Sequence, residues 1–416
     1  MSAPVTMVII GAGGRGTGYA TYATQHPDRL TIVGVAEPRP FYREQLARQH
    51  HIPAAHQFTT WEEVAARPRF ADAVLIATMD DLHAKPAVAC AELGYHILVE
   101  KPLAPTENEC VQMVEAARRA GVLFAVCHVL RYTPYTTALK QLLDAGAIGE
   151  VISVQHLEPV GYWHQAHSYV RGKWAREADA TFMLMAKSCH DLDWIRYIMG
   201  RPCRRVSSFG ARTHFRPENR PVGAADRCLD CAVESSCPYS ARKIYLDRLA
   251  RGETGWPVDV LTPHVTEATV REALRTGPYG RCVYAGQNDV VDHQVVNFEF
   301  AGGPTAVFTM TAFTEANHRK TRIFGTRGEI ECDGHRIRHF DFLTDRWTEH
   351  ALPDLAGTLA GGHGGGDYFL MQHFVEAVAN GRPDLILSGP DESLESHRMV
   401  FAAERSRRTG QTVLLE

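Results

Sequence analysis

The chain has 416 residues, a length that corresponds to two or three domains of ordinary size. Its 44 Lys and Arg residues are nearly balanced by 48 Asp and Glu residues, which excludes a protein that binds nucleic acid through a basic excess. Hydrophobic residues make up 45% of the chain and charged residues 22%, a composition typical of folded globular proteins that excludes extended disorder.

The N-terminus and the cysteines bear on the cellular compartment. The apolar run Met7–Ile10 is much shorter than the core of a signal peptide, and no later run approaches the roughly 18 apolar residues of a membrane span. Of the ten cysteines, Cys90, Cys110 and Cys127 stand alone in apolar segments, as small buried hydrophobes do. We therefore expect a soluble cytoplasmic protein with reduced thiols and no membrane partner.

Strands and helices alternate along the first part of the chain. Apolar runs predict strands over Thr6–Ile10, Thr31–Ala36, Ala73–Ala77, Tyr95–Val99 and Val122–Cys127. Helix-forming segments lie between them, and Gly94 and Gly121 follow two of these segments, where helices often end. This alternation predicts a doubly wound parallel sheet over residues 1–130.

A glycine-rich turn follows the first predicted strand and opens the first predicted helix. It has the pattern G-x-G-x-x-G and consists of Gly11, Ala12, Gly13, Gly14, Arg15 and Gly16. Gly11 would permit the tight turn, Gly13 would let the backbone approach a pyrophosphate, and Gly16 would allow close packing of helix on strand. The free N–H groups of the helix N-terminus would then bind the phosphates. The pattern predicts a dinucleotide-binding Rossmann domain, and the alternative is a glycine-rich turn without a ligand.

Glu37 ends the second predicted strand, about 20 residues beyond this turn. A carboxylate in this position binds the hydroxyls of the adenosine ribose, and it repels the 2′-phosphate of NADP. Arg39 follows closely and weakens that preference, because an arginine is the residue that NADP sites supply. We expect NAD as the cofactor, with NADP as the less favoured alternative.

Glu100-Lys101-Pro102 follows the strand that ends at Val99. Ligands of open α/β sheets bind at this end of the strands. Between a nicotinamide ring and a substrate, desolvation would favour the neutral amine of Lys101, which would exchange a proton with an alcohol while a hydride moves. The alternative is an exposed lysine that precedes a helix.

After Tyr132 the pattern changes to successive strands. The predicted strands are Val151–Leu157, Arg204–Arg212, Val291–Phe300, Thr305–Phe313, Lys320–Gly325 and Gly328–Asp333. The predicted helices are Thr136–Ala145, Ser188–Met199, Tyr368–Asn380 and Leu394–Arg408, and a glycine-rich loop covers 359–366. We expect a second α/β domain over residues 131–416, with an open, mostly antiparallel sheet and an insertion at about 213–290. The open sheet predicts a homodimer or homotetramer.

Several motifs together carry a family resemblance. They are Gly11–Gly16, Glu37, Ala77-Thr78 with His83, Glu100-Lys101-Pro102, Arg131-Tyr132-x-Pro134, His190-Asp191-Leu192-Asp193, Gly325–Gly328, Asp367, Phe374, Ser388-Gly389 and Ala403-Glu404. In these motifs the sequence resembles the Gfo/Idh/MocA family of NAD(P)-dependent sugar and cyclitol oxidoreductases, over nearly the whole chain apart from the insertion. The resemblance implies a Rossmann domain followed by a sugar-binding α/β domain.

The resemblance also implies roles for individual residues. Lys101, His190 and Tyr132 would be the catalytic residues, and the Lys101–Pro102 peptide would be cis. The residues expected at the cofactor, beyond the glycine-rich turn and Glu37, are Thr78, His83, Glu100 and Lys101. Arg131 would contact the substrate.

Lys187 and His190 are three residues apart and share a face of the predicted Ser188 helix, at its first turn. In the family, a histidine at this place points at the substrate and often works with an acid four residues earlier. Position 186 is Ala in this chain, so Lys187 would be the polar partner instead. The alternative is a structural histidine held by Asp193, and a structural role for Lys187 is equally open.

Cations and aromatic residues are interleaved upstream of this helix, between Tyr162 and Arg176. Aromatic faces pack on sugar rings, and arginine binds oxyanions with two parallel hydrogen bonds. A substrate with a carboxylate or a sulfonate would suit such a segment, whereas the alternative is a solvated basic loop. The residues expected to contact the substrate here are His164, Arg171, Lys173 and Trp174.

Three cysteines lie close together in the insertion, in the pattern Cys228-x2-Cys231-x5-Cys237. A C-x2-C pair in a cytosolic protein usually indicates zinc or redox chemistry. A structural zinc needs a fourth ligand, for which the candidates are Cys203, Cys282, His214 and His264. The alternative is a set of reduced or conditionally paired thiols.

These features favour an NAD-dependent oxidoreductase that acts on a secondary hydroxyl of a sugar, sugar acid or cyclitol. A second hypothesis is a glycosidase that uses the same cofactor, by transient oxidation, elimination, water addition and reduction, possibly on an acidic glycoside. Its additional acid and base would come from His128, Tyr132, His164 or His167. A third hypothesis is an NAD-binding sensor or scaffold without catalysis, against which the presence of both Lys101 and His190 argues.

Overall fold

The computed structural model of the protein describes residues 3–352 and 363–415. Its N-terminal elements are β1 Val5–Ile10, α1 Gly14–Gln25, β2 Leu30–Ala36, α2 Pro40–Gln49, β3 Gln57–Phe58, α3 Trp61–Ala65, β4 Ala73–Ile76, α4 Ala84–Glu92, β5 His96–Val99, α5 Glu107–Ala120 and β6 Phe124–Val126. The six strands pair in parallel in the order β3-β2-β1-β4-β5-β6. The predicted doubly wound parallel sheet is confirmed.

The composition of the central strands explains this arrangement. β4 is buried at every position, and β1 at nearly every one, as expected for parallel strands that helices cover on both faces. The strand order changes direction between β1 and β4, so the loops after β1, β4 and β5 meet at one edge. Open α/β sheets bind their ligands at such a switch point.

The C-terminal elements form a second, larger sheet. They are α6 Pro134–Asp144, β7 Val151–Pro159, α7 Tyr162–His164, α8 Met183–Met199, β8 Cys203–Ala211, α9 Asp247–Ala250, α10 Glu267–Thr276, β9 His293–Phe300, β10 Thr305–Thr311, β11 Lys320–Gly325, β12 Gly328–Cys332, β13 Ile337–Asp341, β14 Arg346–His350, α11 Gly366–Asn380, α12 Pro390–Thr409 and β15 Val413–Leu414. The strand order is β14-β13-β12-β11-β7-β10-β9-β8-β15. Among the described strands of this second sheet, only β7 and β10 pair in parallel, so the predicted mostly antiparallel sheet is confirmed.

Helices α8 and α12 pack against this sheet and build the second core. Leu192 and Ile195 of α8 and Val400 of α12 join Val154 and Phe308 of the strands in one buried cluster. The predicted boundary at residue 130 falls in the short 3-10 turn Val129–Tyr132, which leads from β6 to α6. Among the described residues, no helix has the length and apolarity needed to cross a bilayer.

The predicted start of the His190 helix is wrong. The helix begins at Met183, and Ser188, the first residue of the predicted helix, lies inside it with a buried hydroxyl that has no hydrogen-bond partner in the described part of the chain. Residues Met183–Ala186 are apolar and buried, so burial extends the helix by more than one turn. Lys187 and His190 therefore do not lie in its first turn.

The segment between β8 and β9 includes the predicted insertion and has an apolar cluster of its own, centred on Phe215, Tyr245 and Val258. A π-helical segment, Gln165–Arg171, contributes Ala166 and Val170 to that cluster. The sequence analysis did not predict strands β13 and β14, because both contain few apolar residues; β14 is largely exposed, and β13 is mostly half-buried. Of the predicted glycine-rich loop, residues 359–362 lie outside the described residues.

Candidate active site

The glycine-rich loop leaves its backbone open toward the switch point of the parallel sheet. Gly11 has a φ of 95°, and a Cβ there would lie 2.5 Å from the carbonyl oxygen of Ala77. A Cβ on Gly16 would lie 2.0 Å from the carbonyl oxygen of Gly11. By contrast, a Cβ on Gly13 would meet only the guanidinium of Arg39, at 3.6 Å. No side chain caps α1, so its first N–H groups remain available, and this loop fits the pyrophosphate of a dinucleotide.

Glu37 is buried at the end of β2 and is engaged with Arg39. One carboxylate oxygen accepts from the Ala12 N–H at 2.9 Å, and the other accepts from Nε of Arg39 at 2.7 Å. Burial raises the pKa of Glu37, but the hydrogen bonds from Arg39 outweigh it and the net pKa lies below the ordinary value. An ionised carboxylate thus stands at the position expected for the adenosine ribose, with an arginine already paired to it.

Arg15 connects the glycine-rich loop to the second domain. Its Nε donates to Glu100 at 2.6 Å, and its terminal nitrogens donate to both oxygens of Asp367 at 2.7 and 3.1 Å. Glu100 also accepts from the N–H of Lys101 at 2.7 Å. These contacts favour a positioning role for Arg15 and Glu100, because both side chains are already engaged.

His83 braces the two loops that flank Lys101. It is fully buried, and its ring nitrogens lie 2.8 Å from the carbonyl oxygen of Pro102 and 3.3 Å from that of Thr78. The Thr78 hydroxyl donates to the carbonyl of Leu82 at 3.2 Å. The Lys101–Pro102 peptide is cis, as the resemblance implies. His83 and Thr78 thus shape the loops at the sheet edge.

Lys101 and His190 meet at this edge of the parallel sheet. The Lys101 amine donates to the carbonyl oxygen of Ala186 at 2.9 Å, and His190 lies one helical turn beyond Ala186 on α8. Nδ1 of His190 is buried and has no hydrogen-bond partner among the described residues. Burial, with the nearby charge of Lys101, lowers the pKa of His190 well below its ordinary value. His190 is therefore neutral at physiological pH, and its Nδ1 is available for a hydrogen bond.

The structural alternative required Asp193 to hold the His190 ring, and Asp193 does not do so. Arg131 donates to both oxygens of Asp193 at 2.7 Å, and this pair is buried. The Tyr132 hydroxyl accepts from the backbone N–H groups of Leu387 and Ser388 at 2.9 and 3.1 Å. These contacts hold the turn after β6 against α8 and against the segment before α12. They favour structural roles for Arg131 and Tyr132, which we had expected to bind substrate and to catalyse.

His363 is a site residue that the sequence analysis missed. Its ring centroid lies 5.8 Å from that of His190, and its Nδ1 lies 3.3 Å from the Asp367 carboxylate. On the other side of His190, the ring of His128 lies 6.0 Å away. Burial lowers the pKa of His128 to about 3. The only sequence signal for His363 was its position within a run of glycines.

A network of charges surrounds Lys187 on α8. Its amine lies 3.1 Å from one oxygen of Glu158, and Arg319 lies 2.7 Å from the other oxygen. Arg319 also donates to Asp191 at 2.8 Å. The carboxylates balance the two cations, so this wall of the site is polar without a large excess of either charge. Glu158 and Arg319 were absent from the sequence-based set because they come from distant strands.

The segment from Tyr162 to Arg176 divides between the site and the insertion. Arg171 is buried and donates to the carbonyl oxygens of Arg281 and Tyr239 at 2.7 and 2.8 Å, and Lys173 is exposed. The expected clamp of cations is therefore wrong for Arg171, whose guanidinium is committed to the insertion. Trp174 donates from its indole to Asp80 at 3.1 Å, in the loop after β4. It borders the site.

Two family models match the chain. The NAD-binding Rossmann fold of the Gfo/Idh/MocA oxidoreductase family matches residues 5–128, and the C-terminal α/β domain of the same family matches residues 140–415. The chain belongs to the Gfo/Idh/MocA family. This confirms the resemblance and, with it, an NAD-binding Rossmann domain in a family of oxidoreductases that act on small carbohydrates.

Relatives within the Gfo/Idh/MocA family differ in the reactions that they are named for. The scyllo-inositol 2-dehydrogenase (NAD(+)) of Bacillus subtilis is 25% identical over 425 residues, which is 100% of this chain and 98% of the relative. The 2,7-anhydro-N-acetylneuraminate hydratase of Escherichia coli is 25% identical over 202 residues, 49% of this chain and 51% of the hydratase. A levoglucosan dehydrogenase in complex with NADH and L-sorbose has the same fold, with a TM-score of 0.73 at 20% identity and 100% of each chain covered.

The predicted zinc site of this Gfo/Idh/MocA protein is not supported. Cys228, Cys231, Cys237 and Cys282 line one cavity of about 20 Å³, but no group of His, Cys, Asp or Glu in residues 3–352 and 363–415 is arranged to hold a metal. Burial raises the pKa of Cys237 and Cys282, which favours thiols over the thiolates that zinc requires. Arg171 donates to Cys228 at 3.3 Å and places a cation beside these thiols.

Proposed function

We propose that the protein is an NAD-dependent oxidoreductase that moves a hydride between nicotinamide and a secondary hydroxyl of a sugar, sugar acid or cyclitol. The observation that carries the proposal is the meeting of Lys101 and His190. The Lys101 amine contacts the helix that bears His190, at a sheet edge where the glycine-rich loop offers a dinucleotide site. Alcohol oxidation requires a proton acceptor next to the site that binds the cofactor.

The residues of this chain bind, orient and deprotonate the substrate. Bound NAD would accept the hydride from the carbon that bears the reacting hydroxyl. As the neutral amine that desolvation between nicotinamide and substrate favours, Lys101 takes the hydroxyl proton and becomes the ammonium. The neutral ring of His190 accepts a hydrogen bond through Nδ1, which has no partner within the described residues. Glu100 holds the backbone of Lys101, and His83 holds that of Pro102, so the amine is fixed before substrate arrives.

We propose NAD rather than NADP as the cofactor because Glu37 is ionised and buried where the ribose is expected. We also propose a cytoplasmic homodimer or homotetramer that pairs through the larger sheet. Its strands carry exposed apolar side chains, among them Ile152 and Phe209, which are 47% and 65% exposed.

A second candidate is a redox-neutral glycosidase that uses the same site. Transient oxidation of a ring hydroxyl acidifies the neighbouring C–H, a base removes that proton, the aglycone leaves, water adds, and the hydride returns. His164 supports this candidate because it lies beside Lys187 and burial lowers its pKa well below the ordinary value. His167 is less suited, since Tyr245 holds it at 2.8 Å. The hydratase relative supports the same candidate.

Incubation of the purified protein with NAD and a panel of sugars, sugar acids and cyclitols tests the proposal. NADH that accumulates one-for-one with oxidised sugar supports the oxidoreductase. Cleavage of a 4-nitrophenyl glycoside with catalytic NAD and no net NADH supports the glycosidase instead. NAD binding without either reaction would support the hypothesis of an NAD-binding sensor or scaffold instead.

A further inference from the structure

A row of aromatic rings leads from the insertion to the candidate active site. Ring centroids lie 5.0 Å apart between Trp256 and His164, 5.7 Å between His164 and Tyr169, and 6.3 Å between Tyr169 and Trp174. The indole of Trp174 then donates to Asp80 at 3.1 Å. Asp80 lies in the loop after β4, at the edge of the parallel sheet where Lys101 also lies.

The inner part of this row faces the charged wall of the site. Tyr169 is buried near Glu158 and Asp80, and burial together with these carboxylates raises its pKa well above the ordinary value. His164 lies near Lys187, whose amine pairs with Glu158 at 3.1 Å. The row is therefore continuous with the wall opposite Lys101 and is not a separate surface.

The outer end of the row is a pair of indoles, of which Trp256 is exposed and Trp163 is half-buried. Trp256 is 50% exposed, and its ring centroid lies 5.1 Å from that of Trp163. The Arg248 guanidinium lies 4.3 Å from the Trp163 ring and supports it. The His167 ring lies 5.4 Å from Trp256 at 89°, and His167 is itself held by Tyr245. These contacts fix the indoles in place, although a large exposed aromatic surface is costly in water.

The backbone beneath the row is unusual. Residues Gln165–Arg171 form a π-helix. This conformation is rare in proteins as a whole, and where it occurs it frequently lies at a functional site. The π-helix places Tyr169 in the row and His167 beside Trp256, and it sends Arg171 into the insertion, where Arg171 donates to two carbonyl oxygens. The insertion thus holds the π-helix and supplies Trp256, so it builds the outer end of the row.

We propose that Trp163, His164 and Trp256, here called the indole platform, form a second sugar subsite. The substrate is then a glycoside or an oligosaccharide, whose reacting ring lies at Lys101 and whose neighbouring ring stacks its C–H face on the platform. The exposed indole of Trp256, tilted by 52° against that of Trp163, suits a neutral second ring, because stacking needs apolar contact area and no counter-charge. This inference rests on the proposed function and names the substrate class of the same site.

The test compares substrates of one and two rings in matched variants. The probes are cellobiose, maltose, lactose and 4-nitrophenyl β-D-glucoside against glucose and galactose, with NAD present. For the two-ring probes, Trp256→Ala is expected to lower kcat/KM by about threefold to tenfold, mainly through KM, whereas for the one-ring probes the change stays below about twofold. Trp256→Phe should retain most of the activity. Trp347→Ala, which removes another partly exposed indole on β14, is the matched control.

Calorimetric titration of each probe into the NAD-bound protein repeats the comparison without turnover. Two-ring probes should bind the wild type more tightly than one-ring probes, and Trp256→Ala should remove that difference. The inference is overturned if no two-ring probe binds better than its one-ring counterpart, or if Trp256→Ala weakens both classes equally. A wild type that binds two-ring probes on the platform but oxidises nothing contradicts the proposed oxidoreductase and leaves the subsite standing.

Discussion

The cofactor half and the substrate half of the candidate site differ in whether backbone or side chains form them. The cofactor half is mostly backbone: Gly11, Gly13 and Gly16 lack side chains, and the N-terminus of α1 is uncapped. The substrate half is made of side chains from separate segments, including Lys101, His190 and His363. Backbone N–H groups recognise a phosphate whatever the remainder of the ligand, whereas charged and aromatic side chains discriminate among sugars. Substitutions should therefore affect affinity for cofactor and turnover of substrate separately.

The largest expected effect separates chemistry from cofactor binding. Lys101→Ala removes the proposed proton acceptor and should lower kcat by about 10²–10⁴-fold, the usual contribution of general base catalysis. The affinity for NAD, measured by calorimetry, should stay within about threefold because the glycine-rich loop is untouched. Lys85→Ala, which removes an exposed lysine of α4, is the control and should change neither quantity. Full activity of Lys101→Ala would contradict the assignment.

The converse substitution should damage only the cofactor half. Gly13→Ala places a methyl group where the nearest atom of the chain is 3.6 Å away, so the fold should be preserved. The methyl group would obstruct the pyrophosphate and weaken NAD binding by about tenfold or more, which is about 1.4 kcal/mol. Gly18→Ala is the matched control, since its Cβ meets nothing within 4 Å on the same helix. An unchanged affinity in Gly13→Ala would place the pyrophosphate elsewhere.

Cofactor choice is expected to depend on the Glu37–Arg39 pair. Glu37→Gln removes the ionised carboxylate and frees the Arg39 guanidinium, so kcat/KM with NADP should rise relative to NAD by about tenfold. Arg39→Ala should shift the ratio in the opposite direction. Initial rates with each cofactor at one saturating substrate concentration measure both effects. If the two variants shift the ratio in the same direction, the pair does not set the preference.

The last expected effect concerns stability. Burial lowers the pKa of His128 to about 3 and that of His397 to about 4, so both stay neutral in the folded protein while the unfolded chain binds protons below about 6.5. The free energy of unfolding should therefore fall as pH drops from about 6.5 toward 4, by about 1.4 kcal/mol per pH unit for each histidine.

His128→Leu tests this pH dependence. Urea unfolding between pH 4 and 7 should show a shallower loss of stability in the variant, because one buried neutral histidine is gone. The exposed His335→Gln is the control and should leave the slope unchanged. An identical slope in His128→Leu would mean that His128 takes up its proton in the folded state.

The cofactor half was predictable because its signals are local. The glycine-rich turn, the acid that ends the next strand and Lys101 each follow a strand whose apolar run is evident, and parallel strands bring these ends together. The alternation of elements likewise predicted the sheet, and the glycines after α4 and α5 marked where those helices end.

The substrate half was less predictable because its contacts join distant parts of the chain. Arg319, the residue before β11, contacts Glu158 and Asp191. His363 comes from a run of glycines without the apolar periodicity of a helix or a strand. Arg131 and Tyr132 matched a family motif, but a motif does not reveal that their polar atoms are committed to Asp193 and residues 387–388. The sequence analysis began the His190 helix at Ser188, because the burial of the residues before Ser188 cannot be seen in the sequence.

The Arg15 guanidinium links the cofactor half of the site to the substrate half. It lies at the first turn of α1 and forms a salt bridge with Asp367, which also contacts His363. A dinucleotide that altered this salt bridge would change the surroundings of His190, and a sugar that moved His363 would change the salt bridge in return. By thermodynamic reciprocity, a coupling through these residues would change the affinities for nucleotide and for carbohydrate by the same factor.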